Sequence, residues 1–202
     1  MIDLSEISKK ERVLKAAKLL FARFGFKKTT VEEICREAGI GKGTAYLHFK
    51  DKEDILREVV DEFCQTALTR LQSVVRSQPS APRALRSFFA CKLEIIQELH
   101  LEAQSNWEPI NEAVRVPAVE MLRTNHLEQE RRLLEEVMQS GIDAGVFHIT
   151  NIEHTSFVIA NSIESLIVAG RAIGGVDLFE ERTKAFIEIL FRGILKPGVD
   201  EN

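Results

Sequence analysis

Lys42, Thr44, Tyr46, His48 and Lys52 place ammonium, hydroxyl, phenol and imidazole donors within one short stretch, GKGTAYLHFKDK. On a helical wheel at about 100° per residue, Ala45 and Phe49 lie together and point inward. Gly43, Thr44 and Leu47 lie on the opposite side, with Tyr46 and His48 on the flanks and Lys42 near Tyr46. Such a helix suits a nucleic-acid groove. Small residues allow close approach, short polar or methyl-bearing groups face base edges, and flanking donors reach phosphates. The same wheel also describes the surface helix of an ordinary bundle.

Catalytic alternatives find little support. His48, His100, His126, His148 and His154 show no HExxH or other metal spacing, and no GxSxG, phosphate loop or paired-cysteine site occurs. Neither a catalytic residue, a metal site nor a cofactor is expected, and the chain reads as a non-enzyme. Cys35, Cys64 and Cys91 are odd in number and sit among apolar residues, as reduced buried thiols do.

The elements that must position the donors begin just upstream. Thr30 and Glu33 form a capping box before Val31, Ile34, Cys35 and Ala38, which share one helical face. Gly39 stops that helix, and the chain re-enters helix after Gly41. Helix, glycine turn, helix is the spacing of a DNA-reading helix-turn-helix over Thr30–Phe49. Ser8 and Glu11 cap an earlier helix with the stripe Val13, Ala16, Ala17, Leu20, Phe21 and Phe24, closed by Gly25. Lys9, Lys10, Arg12, Lys15 and Lys18 crowd its first turns, either as a solvated face or as contacts to DNA backbone.

Downstream, Asp51 caps a long helix to about Arg76, suggesting a lever between a front and a rear part. Ser80 caps a helix to about Leu99, and Glu102–Val116 is less regular. Pro117 opens a helix to about Ala144, Thr150 or Asn151 caps one to about Ile173, and a last helix spans about Leu178–Leu195. The Ile173 helix is apolar nearly all round, which predicts burial on most sides. No convincing strand is predicted, so the chain reads as all-α with about nine helices. Its divisions are a helix-turn-helix domain over 1–52 and a rear domain over 53–202.

Net charge is −4, but residues 1–58 hold 13 Lys+Arg against 10 Asp+Glu, and the remainder 14 against 21. A basic front and an acidic rear suit a chain that presents one end to phosphates. No apolar run approaches the roughly 18 residues of a membrane span, and no signal-peptide pattern opens the chain. A cytoplasmic protein without a membrane partner is expected.

Val13–Leu56, VLKAAKLLFARFGFKKTTVEEICREAGIGKGTAYLHFKDKEDIL, resembles the TetR family of bacterial transcriptional regulators. The glycine after the first helix, the Thr-Thr pair, the Ala-Gly turn and the KGTxYxHFxxKExIL series carry the resemblance together. It implies an all-α chain in which a three-helix DNA-binding head joins, through helix four, a ligand-binding and dimerising domain. It implies a dimer on a palindromic double-stranded operator, released by a small effector, with repression as the default. Carried over by motif, Thr30, Lys42, Thr44, Tyr46, His48 and Lys52 touch DNA, with Tyr46, His48 and Lys52 on phosphates and Lys42 and Thr44 nearest the bases. Gly43 and Leu47 complete the groove face. Gly41 replaces the family's usual serine cap, and Ala45 and Leu47 stand where other residues are common, so operator sequence does not transfer from relatives.

The homodimer is expected through the last two helices. For the effector, Phe88, Phe89, Trp107, His126, Asn161 and Glu164 are polar or aromatic on otherwise apolar helices, readable as pocket lining or as core. Twelve Phe against one Tyr and one Trp hint at a hydrophobic effector. The rivals are a protein-interaction module with a vestigial helix-turn-helix and, below that, an all-α enzyme.

Overall fold

The computed structural model describes residues 8–102, 108–173 and 176–196, with side chains left undescribed at 100–102, 164, 166–173 and 176–180. Among the described residues the regular structure is helical: α1 (Lys9–Phe24), α2 (Val31–Ala38), α3 (Lys42–Tyr46), α4 (Lys52–Arg76), α5 (Ala81–Glu102), α6 (Glu108–Ala113), α7 (Pro117–Asp143), α8 (Ile152–Ile173) and α9 (Val176–Ile194). The all-α expectation holds. An isolated antiparallel bridge joins Phe147 to Leu195.

Local chemistry sets most boundaries. Ser8 Oγ accepts from the Glu11 amide at 3.2 Å, and Glu11 accepts from the Ser8 amide at 2.8 Å. The Thr30–Glu33 box repeats this for α2. Gly39 closes α2 with φ 64°, a left-handed value that favours glycine. Asp51 Oδ1 caps α4 through the Asp54 amide at 2.8 Å, and Asn151 Oδ1 caps α8 through the His154 amide at 2.8 Å. α3 is shorter than expected. The Leu47 amide bonds back to Thr44 and the His48 and Phe49 amides to Ala45, which tightens the last turn and delivers Phe49 to the core.

Contacts divide the chain into two compact units, Met1–Gln65 with Glu102–Thr124, and Thr66–Leu101 with Asn125–Asn202. The unit holding the head therefore reaches past the residue 52 boundary. Its core joins Val13, Ala17 and Phe21 of α1, Ile34 and Cys35 of α2, Ala45, Phe49, and Ile55 and Leu56 of α4. Val116 and Val119, from far along the chain, complete it.

In the second unit Phe88 and Phe89 meet edge to face at 5.8 Å, and Phe89 meets Phe186 at 6.2 Å. Lys92 and Glu130 pair at 2.8 Å with both side chains 13% exposed. Within the single chain, Phe157 and Val158 of α8 are each 59% exposed. The described apolar residues of α8 divide between the core side (Ile159, Ala160, Ile163) and an outward side with Phe157 and Val158 exposed.

Candidate nucleic-acid interface

α3 is fastened on one side and open on the other. Ala45, 1% exposed, and Phe49, 2% exposed, fix it against the head core. Leu47 is 83% exposed and Tyr46 46%, and Lys42, Gly43 and His48 are exposed beside them. Thr44 is half-buried on the same outer side. Thus Lys42, Gly43, Thr44, Tyr46, Leu47 and His48 lie together on one accessible surface, divided from the core as the wheel predicts.

Two features of that surface stand out physically. Gly43 is helical, and a Cβ there would meet nothing within 4 Å, so packing within the chain does not require glycine. An exposed leucine next to it gains nothing from water. Both make sense against a surface that approaches closely and offers methyl groups.

Charge is held in reserve. Lys42 forms an ion pair with Glu32 of α2, and its ammonium lies 5.8 Å from the centre of the Tyr46 ring. The hydrogen bond from Lys42 holds the Glu32 carboxyl below the usual carboxylate range and raises the ammonium above the usual amine range. Thr30 is engaged as the α2 cap. Its hydroxyl accepts from the Glu33 amide and donates to the Glu33 carboxylate at 2.8 Å.

Lys52, expected on a phosphate, is held within the chain in the absence of DNA. Its ammonium donates to the carbonyls of Phe26 and Thr29, both at 2.8 Å, and lies 4.3 Å from the centre of the Phe26 ring. Those bonds direct it into the α1–α2 loop. The basic residues of α1 also divide. Arg12 donates to the carbonyls of Ala38 at 2.6 Å and Gly39 at 3.1 Å, neutralising the carbonyl end of α2. Lys10 pairs with Glu58 at 2.5 Å. The sequence pattern carries no sign of these roles, since the partners lie far along the chain.

The proposed effector residues do not share one setting. Phe88 and Phe89, each 1% exposed, are core residues of the second unit, and His126 is buried at 6%. Asn161 is exposed and donates to the Phe157 carbonyl of its own helix at 2.8 Å, so it stands on the outward row of α8. Trp107 and the Glu164 side chain lie outside the described residues. A groove along α7 and the start of α8 is lined mainly by charged residues, among them Arg131, Glu135, Asp143 and Glu153.

The family model for "Bacterial regulatory proteins, tetR family" matches residues 13–59. The chain is 24% identical to the HTH-type transcriptional repressor KstR2 of Mycobacterium tuberculosis over 192 residues, covering 95% of this chain and 96% of that one. The solved structure of that ketosteroid transcriptional regulator superposes with a TM-score of 0.61 at 24% identity, covering 94% of this chain and 96% of that chain. The fatty acid degradation regulator FadR from Bacillus halodurans superposes at a TM-score of 0.71 and 18% identity, covering 93% and 97%. The family match falls on the helices that build the exposed α3 surface, and the likeness continues nearly end to end. Residues 13–59 thus match the tetR family of bacterial regulatory proteins, and the chain resembles a transcriptional repressor along nearly its whole length.

Proposed function

We propose that the chain is a ligand-responsive repressor that binds a palindromic DNA operator as a homodimer and is released by a small hydrophobic effector. One observation carries the DNA reading: α3 is pinned by Ala45 and Phe49 while Gly43, Leu47, Tyr46 and His48 face outward. In this reading Leu47 and Thr44 meet base edges and Gly43 lets the helix approach. Tyr46, His48 and Lys42 reach phosphates or bases, and the capped start of α2 at Thr30 adds backbone amides.

Dimerisation is supported by the exposed apolar row of α8 (Phe157, Val158) and by Ile189 of α9, 72% exposed. Two copies set half-sites about 34–36 Å apart on one face of DNA. The hydrophobic effector is supported by relatives whose names carry ketosteroid and fatty acid degradation and by the phenylalanine-rich second unit. Relatives that are regulators favour this over an enzyme, and the place of action is the cytoplasm.

Selection from a random-sequence duplex pool tests the reading. The expected result is enrichment of an inverted repeat with half-sites one helical turn, or a multiple of it, apart, lost on adding a binding hydrophobic compound. Failure to enrich any duplex overturns the reading.

A further inference from the structure

The loop Gly25–Thr29 joins α1 to α2, and its backbone groups are held from two other elements. The Gly25 amide bonds to the Phe21 carbonyl at 3.0 Å, and the buried Thr29 hydroxyl donates to the Gly25 carbonyl at 2.8 Å. From α4, the Lys52 ammonium takes the Phe26 and Thr29 carbonyls at 2.8 Å, with the Lys27 carbonyl at 3.5 Å. From α6, the Glu112 carboxylate accepts the Lys27 amide at 3.1 Å and lies 3.9 Å from the Lys27 ammonium. Its other oxygen lies 2.5 Å from where a Cβ on residue 25 would stand. The carboxylate therefore packs directly over Gly25, whose φ of 86° also favours glycine.

We propose that Lys52 and Glu112 form a two-sided clamp on the Gly25–Thr29 loop that positions α2 and α3 for DNA, with both acting as positioning residues. The proposal rests on the DNA-binding reading above. An ammonium has three protons to give, and here they point at loop carbonyls beneath an aromatic ring. Reaching for a phosphate would leave the part-buried carbonyls of Phe26 and Thr29 unsatisfied, a penalty as large as the stabilisation a new phosphate bond would contribute. The clamped loop ends at Thr30, the cap of α2, and α2 packs on α3. Movement of the loop thus moves the start of the reading unit. Both clamp residues, and the loop, belong to one compact unit, although 85 residues separate Glu112 from Lys27.

The full-length chain tests this with a duplex that it has itself selected from a random pool. Lys52→Met keeps the stem over Phe26 and removes the ammonium. The expected result is an affinity loss of about five- to tenfold, the size one unsatisfied acceptor produces, with the salt dependence unchanged. Amides of residues 27–31 should exchange faster with solvent while circular dichroism stays that of the folded chain. Glu112→Ala should do the same, and Glu112→Gln should restore both, because an amide oxygen still accepts the Lys27 amide. In the double variant the losses should combine to less than their product, since both act on one loop. A fall of about one in the salt slope for Lys52→Met, with loop exchange unchanged, makes Lys52 a phosphate ligand and overturns the clamp. Should Lys52→Met fail to fold, the Glu112 pair decides: equal affinity and exchange in Glu112→Ala and the parent overturns the proposal. If no duplex is selected at all, the DNA-binding reading fails, while the exchange measurements still read the clamp separately.

Discussion

At Gly43, stability and binding pull in opposite directions. Glycine in a helix is less favourable than alanine by roughly 0.5–1 kcal/mol, and a Cβ at this position meets nothing. Gly43→Ala should therefore raise thermal stability slightly, yet weaken operator binding by about tenfold as the added methyl holds α3 away from the groove. A scanning-calorimetry trace beside a binding isotherm checks both, and unchanged affinity would remove Gly43 from the interface. Glu32 makes the complementary case. Its carboxylate pairs with Lys42 beside α3, where it repels an incoming phosphate and occupies the cation. Glu32→Gln should tighten binding and steepen its salt dependence by freeing Lys42 for the DNA. Leu47→Ala should leave the salt slope alone and relax the preferred base at one half-site position, since an apolar contact neutralises no phosphate.

At the scale of the element, α1, α2, α4 and α8 begin where side-chain oxygens meet first-turn amides, and carboxylates take part. Hydrogen bonds from the Thr30 amide and hydroxyl hold the Glu33 carboxyl below the ordinary range. Arg57 does so for Asp54, helped by the Lys50 amide against the opposing effect of burial. In the second unit Arg131, and behind it Arg132, hold Glu128 at about 2. Depressed folded-state values mean that the stability these groups contribute is complete above the ordinary carboxylate range and is lost as pH falls through the lowered values. Acid titration followed by circular dichroism should therefore show a plateau from neutral pH to about 5 and a decline below about 4. Glu33→Gln and Asp54→Asn should flatten the part of that decline reported by the head.

These capping boxes were legible in the sequence because both partners lie within one turn, as at Ser8 and Glu11 or Thr30 and Glu33. The side chains that tie one element to another were not. Arg12 meets a carbonyl 26 residues away and Glu112 an amide 85 away, and a helical period carries no information at such separations. Lys52 illustrates the consequence. Its type and place in the motif suggested a phosphate, while the fold turns the same ammonium to the Phe26 and Thr29 carbonyls. An effector pocket is not legible for a different reason, since a buried phenylalanine such as Phe88 has the same composition signal whether it lines a cavity or fills a core.

At the scale of the molecule, hydrophobicity likewise does not separate a core from an interface, which is why α8 reads as buried on most sides. His154, Phe157, Val158, Asn161 and Ser165 are all exposed, and their spacing puts them on one side of the helix. Ile189 adds an exposed apolar residue on α9, which packs on α8. A second copy presenting the same faces would cover these side chains symmetrically, since a two-fold interface sets one patch against itself. Burying two such side chains per copy contributes roughly 1.5–3 kcal/mol each, and a carboxylate placed among them is left without a partner. Phe157→Glu with Ile189→Glu should therefore shift sedimentation at micromolar concentration from dimer to monomer. Both positions are on the surface of the single chain, so helix content should be kept. The monomer should still bind one half-site, weakly, and lose its preference for two half-sites at one fixed spacing, because that preference exists only while two heads are held at a set distance. A double variant that remains a dimer would move the interface off α8 and α9, leaving their apolar row to another partner.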